Sequence, residues 1–130
     1  MVWDITQLEQ LLSNNDNYAV SQEDGCLCVT NSDGVEAYVA VSGQQIIVES
    51  LLFAKEQVAD ASALNEEILK THQVFPLTTV GLTTIDGDDY YMAFGALSAQ
   101  SKEESIVIEV DTLFQNVEGF LEAYQDHLTH

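Results

Sequence analysis

Four short turn signals cut this chain into runs that suit hairpins, and they constrain its fold more than any other feature. They are Asp24-Gly25, the Asp33-Gly34 that closes Asn31-Ser32-Asp33-Gly34, Ser42-Gly43 and Asp86-Gly87. Asp-Gly pairs tolerate positive φ at both central positions of a two-residue loop, whose twist matches the strands it joins. The segments between the turns have the period of strands. Tyr18 to Val20 and Cys26 to Thr30 flank the first turn. Val35, Ala37, Val39 and Val41 alternate with Glu36, Tyr38 and Ala40, and Ile46 to Phe53 follows Ser42-Gly43-Gln44. Period two is that of a half-buried strand, so an antiparallel meander of about four strands is expected. Val80 to Ile85 and Tyr90 to Leu97 form a second hairpin around Asp86-Gly87, and the alternation of Ile106, Ile108 and Val110 with Val107 and Glu109 predicts one more strand.

Helices are signalled by caps and by apolar residues three and four apart. Asp4 with Gln7 three residues on opens a helix carrying Ile5, Leu8, Leu11 and Leu12. Asp60 opens a second with Ala61, Leu64, Ile68 and Thr71, which must stop before Pro76. Asp111 is expected to cap a last helix, with Leu113, Val117, Phe120, Leu121, Tyr124 and Leu128 on one stripe and Gly119 on the opposite face. The order is helix, four strands, helix, three strands, helix. That is α+β: an antiparallel sheet of about seven strands with helices packed on it, residues 1–130 forming a single domain. The last stripe reads first as core, but it runs almost to the C-terminus. Leu121, Tyr124 and Leu128 are therefore the residues expected to meet a second copy at an interface.

Charge limits the partners. There are 22 acidic residues against three lysines and no arginine, a formal net charge of -19. Charged residues make up only 19% of the chain and hydrophobic ones 46%, so the imbalance comes from missing bases in a chain that can still bury a core. Gripping phosphate takes several cations close together. Lys55, Lys70 and Lys102 are scattered, which argues against nucleic acid, anionic membranes and nucleotides and leaves basic proteins, peptides and cations. Neither a signal-peptide pattern nor an apolar run of membrane-spanning length is present, so a cytoplasmic protein is expected.

No residue pattern points to chemistry. Cys26 and Cys28 fall on one face of a strand, but two thiolates need further ligands. His72, His127 and His130 are the only imidazoles and lack the spacing of a zinc motif, so no metal or cofactor is expected. Asp86-Gly87-Asp88-Asp89 resembles the opening of a calcium loop, yet its twelfth position is Leu97 where a bidentate Glu belongs. Glu66-Glu67 and Glu103-Glu104 read as solvated faces. Glu36, Glu49 and Glu109 each interrupt a strand and are expected to mark the wet face of the sheet. There is no Gly-x-Ser-x-Gly elbow and no phosphate-cradling glycine loop. The chain is therefore read as not an enzyme. Two alternatives remain: an acidic nucleic-acid mimic that blocks a DNA-binding protein, and a small enzyme with a carboxylate-based site.

Trp3-Asp4-Ile5 through Leu8, Ala37-Tyr38-Val39, and Phe75-Pro76-Leu77 ahead of Asp89-Tyr90-Tyr91 make the chain resemble the YjfI-like proteins, an uncharacterised bacterial family of small cytoplasmic chains. The resemblance brings no catalytic residues with it. The architecture is also similar to the chaperones of bacterial type III secretion. Members of that fold generally pair as homodimers and hold a partly unfolded client against apolar grooves and strand edges. The resemblance thus implies a chaperone-like homodimer that binds a protein or peptide, and the charge adds that basic clients are the ones attracted.

Overall fold

Asp4 starts the fold as the sequence predicts. In the computed structural model, which describes residues 2–129, its carboxylate accepts from the Gln7 N–H at 2.8 Å and the Gln7 side chain accepts from the Asp4 N–H at 3.0 Å. This reciprocal pair caps α1 (Ile5–Ser13), whose Leu8 and Leu12 are buried. β1 (Ala19–Glu23) and β2 (Cys26–Thr30) meet at Asp24-Gly25, where φ is 51° and 78°. Both values are positive, as a tight hairpin requires. β3 (Glu36–Ser42) and β4 (Gln45–Ala54) follow, then a short 3-10 turn and α2 (Ala61–Thr71), capped by Asp60 through the Ala63 N–H at 3.2 Å. β5 (Thr79–Ile85) and β6 (Asp88–Ser98) turn at Asp86-Gly87, with φ of 53° and 87°. α3 (Glu103–Ala123) completes the order.

The six strands form one antiparallel sheet in the order β1-β2-β3-β4-β6-β5. β6 returns beside β4, which leaves β5 at one edge and β1 at the other. Leu27, Val29, Val39, Ile46, Val48 and Tyr91 alternate onto one buried face, each full burial contributing about 1.5–3 kcal/mol. α1 lies over β1 and β2, and α3 over β4 and β6. α2 closes the β5 side, where the Tyr91 hydroxyl donates to Asn65 at 2.6 Å. The three helices thus share one face of the sheet. A bulge between Leu51 and Phe53 adds a residue to β4, which turns Phe53 inward against Tyr91 and leaves Leu51 on the far side.

Three expectations are corrected. Ile106 to Val110 is not a seventh strand but the first turns of α3, a helix of 21 residues. Its β-branched residues favour a strand locally. As a helix, however, Ile106, Val110, Leu113, Val117 and Phe120 all reach the core, whereas a strand would carry on no further than Val110. The cap is therefore at Lys102 and not Asp111, and Glu103 and Glu104 sit in the first turn, where the helix dipole favours negative charge. Gly119 also does not face away. It lies under the ring of Phe75, to whose Cε1 an added Cβ would stand 2.8 Å.

That contact anchors the Phe75-Pro76-Leu77 segment. α2 has ended at Thr71, well before Pro76, and a 3-10 turn, His72–Val74, leads in. The buried Asn116 amide donates to the Pro76 carbonyl at 2.9 Å and to Thr78 Oγ1 at 2.8 Å. These bonds hold Leu77 at φ 71°, a left-handed conformation that a leucine adopts only when its surroundings impose it.

Candidate functional site

Strand alternation that buries one face must present the other, and here the presented face is apolar. Residues paired across neighbouring strands set Cys28, Tyr38, Glu49, Phe94 and Thr79 in one row. Ala40, Ile47 and Ala96 form the next row on one side, and Leu51, Met92 and Gly81 the row on the other. The wet face of an antiparallel sheet is ordinarily polar. This one carries Tyr38, Leu51 and Ile85 at 38%, 44% and 41% exposure, around a half-buried central carboxylate, Glu49. Tyr38, Glu49, Leu51, Thr83, Ile85 and Met92 line a groove of about 390 Å³ in it. The helices lie on the opposite face, so among the described residues none covers it.

The face is also without cations. Lys55 lies in the 3-10 turn after β4, Lys70 is on α2 in an ion pair with Glu66 at 3.0 Å, and Lys102 precedes α3. None sits in a strand. Cys26 and Cys28 share the open face as half-buried free thiols. Burial, and then the charge of Glu49, pushes the Cys26 thiol up, so it is not a ready thiolate. Among the described residues no three His, Cys, Asp or Glu gather to hold a metal ion. The His72 ring meets Thr79 at 3.2 Å and His127 meets Glu67 at 3.2 Å, while His130 lies outside the described residues.

The β5 edge is a second exposed feature. Proteins guard edge strands with charge, proline or brevity. β1 is five residues long and ends at Glu23, but β5 is seven residues with neither charge nor proline. Beside it, Leu69 of α2 and Leu82 are 79% and 46% exposed, with a small groove of about 180 Å³ between helix and strand.

Of the residues expected at a shared interface, only Leu121 remains exposed. Tyr124 is buried in its own chain, stacked on Phe120 at 6.0 Å with its hydroxyl 2.7 Å from Thr71 Oγ1. Leu128 is half-buried and bridges Val58, and the Ala59 and Thr129 N–H groups donate to His127 and Gln57 carbonyls. These contacts tie Leu128 and Thr129 to the segment that follows β4. Glu36 and Glu49 do lie on the open face, whereas Glu109 is not on a strand at all but on the buried side of α3, its carboxyl against Gly95 of β6. A polar depression collects Asp33, Asp111 and Glu118 beside Tyr18, whose hydroxyl donates to Asp111. The neighbouring Asp33 carboxylate pushes the Glu118 carboxyl up. The open face went unread in the sequence, yet it left a signal: Ile46 to Phe53 is apolar at both parities except at Glu49 and Ser50.

Residues 2–128 match a family described as an uncharacterized protein conserved in bacteria, DUF2170. The chain belongs to that family. YjfI of Escherichia coli K12, also uncharacterized, is 24% identical over 131 residues, 98% of each chain. Among solved structures, YbjN of E. coli is similar with a TM-score of 0.78 at 17% identity, over 98% of this chain and 96% of that one. A chain of the HopA1–SchA chaperone–effector complex gives 0.66 at 14% identity, over 90% and 91%. The YjfI-like resemblance and the α+β, chaperone-like fold both hold for this DUF2170 chain. No helix among the described residues is long and apolar enough to cross a membrane.

Proposed function

We propose that this DUF2170 chain is a non-catalytic, chaperone-like module of the cytoplasm that binds a protein or peptide on the open face of its sheet. One observation carries the reading: an uncovered apolar sheet face, centred on a carboxylate and lacking any lysine. Exposed apolar surface of this kind marks interaction sites. HopA1–SchA, which shares the fold, is a chaperone–effector complex, which supports protein binding. The carboxylates of the polar depression support catalysis less well. Asp111 is engaged by Tyr18, Glu118 is open to solvent, and among the described residues no His or Lys lines the depression to activate its one serine, Ser32.

Affinity capture from a bacterial lysate, at low and high salt, tests the reading with Leu51→Glu and Met92→Glu as controls. The wild-type chain is expected to recover a protein partner that either variant loses at least tenfold, because a charge set into an apolar contact must be desolvated without a partner. Equal recovery by the variants, or no partner at either salt in repeated trials, would reject it.

The same reading includes a homodimer, formed by pairing the unguarded β5 edges with Leu69 and Leu82 packed beside them. Sedimentation velocity should show a dimer for the wild type and a monomer for Leu82→Lys. A wild-type chain that stays monomeric at tens of micromolar removes the dimer from the proposal.

A further inference from the structure

We propose that Glu49 is a cation subsite. On this reading the open face takes an amphipathic helix of the partner whose apolar stripe carries one lysine or arginine, seated over Glu49. The inference rests on the face being a protein-binding surface and goes further by stating the chemistry of its occupant.

The placement of Glu49 comes first. Its cross-strand partners are Tyr38 on β3 and Phe94 on β6. Opposed side chains stand roughly 5 Å apart at Cβ, so two aromatic rings flank the carboxylate. Along β4, Ile47 and Leu51 lie two residues to either side, about 7 Å each way. A cation at the centre would meet a carboxylate set between two aromatic residues, surroundings that suit the flat guanidinium of arginine best. Apolar groups one helical turn before and after it would cover Ile47 and Ala96 on one side and Leu51 and Met92 on the other.

Charge points the same way. Glu49 is half covered by apolar neighbours, and neither ion pair formed among the described residues involves it. Docking an apolar segment there would strip its remaining water, and only a cation from the partner offsets that cost. A second copy is a poor source, since each chain has a net charge of -19 and its one lysine on an α-helix, Lys70, is already paired with Glu66. Two faces pressed together would oppose two Glu49 carboxylates. An acidic partner is rejected for the same reason.

Backbone hydrogen bonding settles the shape of the occupant. An extended segment needs N–H and C=O partners, which a sheet edge supplies and a sheet face does not. A helix satisfies its own and can lie flat on apolar side chains, completing a layer that this sheet lacks.

The test is selection from a displayed library of helical peptides on the full chain, followed by titration of a synthetic selected peptide. The wild type should enrich helices with Lys or Arg flanked one turn away on each side by large apolar residues. Binding of the synthetic peptide should fall at least tenfold on Glu49→Gln, which keeps shape and fold. Selection on Glu49→Lys should enrich Asp or Glu at the same position. Amide shifts on binding should centre on residues 47–51 and 92–96. Peptides with a neutral or acidic centre, or unchanged binding to Glu49→Gln, overturn the cation subsite while lysate capture can still uphold the wider reading. Selection of nothing on this face overturns the subsite, and failed lysate capture would remove the wider reading too.

Discussion

Replacing Glu109 with methionine is expected to stabilise this protein by about 1–3 kcal/mol at neutral pH, the usual cost of a buried polar group left without partners. Glu109 is 6% exposed on the inner face of α3, and its Oε2 has no hydrogen-bond partner. Its carboxyl lies against Gly95 of β6, where an added Cβ would stand 3.3 Å from the carboxyl carbon. Gly95 thus leaves the space that the carboxyl occupies. Burial pushes the Glu109 pKa up, which fixes the sign of its pH dependence. Below the ordinary carboxylate range both folded and unfolded chains hold the proton, and ionisation costs nothing. As pH rises past that range the unfolded chain releases its proton first, so stability falls until the raised folded value is passed and then levels. The stability gap between Glu109→Met and the wild type should therefore widen as pH rises from acid to neutral, by roughly 4 °C in Tm per kcal/mol. Glu109→Gln should remove the pH-dependent part alone, because it keeps the shape without the charge. Chemical denaturation of the three proteins across pH decides the matter. A methionine variant less stable than wild type at neutral pH would show that the carboxylate is compensated after all.

Gly119→Leu is expected to destabilise the chain by about 2–3 kcal/mol, although leucine is the better helix former by roughly 1 kcal/mol. The first added carbon already falls within 2.8 Å of the Phe75 ring. Phe75 in turn packs on Phe120 at a ring distance of 4.4 Å and near Tyr124 at 6.5 Å. It cannot retreat freely, since Asn116 holds the following carbonyl of Pro76. Leucine must therefore displace the ring, which loses its packing, or strain the loop. A double-mutant cycle with Phe75→Ala separates this from a general intolerance of α3. Removing the ring should relieve most of the leucine's cost, so the pair should be clearly more stable than the sum of the single changes predicts. Additive effects in urea denaturation would place the conflict elsewhere.

Local chemistry explains which elements could be read from residues alone. The Asp4 and Asp60 caps, the Asp24-Gly25 and Asp86-Gly87 turns and the alternation of Val35 to Val41 depend on neighbours within a few positions, and each forms where it was expected. Ile106 to Val110 misled because β-branched residues at alternate positions satisfy both periods over so short a run. The longer stripe through Phe120 decides for helix, and it is recognisable only when Ile106 to Val110 is taken together with Leu113, Val117 and Phe120 as one segment. Gly119 misled for another reason: its use is a contact with Phe75, 44 residues earlier in the chain, that no local pattern records. What Tyr124 and Leu128 meet near the chain end is likewise beyond any local pattern, since Thr71 and Val58 come back to them from far earlier in the sequence.

By itself the sequence determined the α+β class, the hairpins, the caps and a strongly acidic charge balance, because these stem from backbone preferences, short-range periodicity and counted charge. Only the tertiary structure decided that α1, α2 and α3 all settle on one side of the sheet, since that depends on packing between residues far apart in the chain. That choice leaves Tyr38, Glu49, Leu51, Met92 and Phe94 together and bare. Each looks ordinary in its own strand, and they become a surface only when β3, β4 and β6 lie side by side.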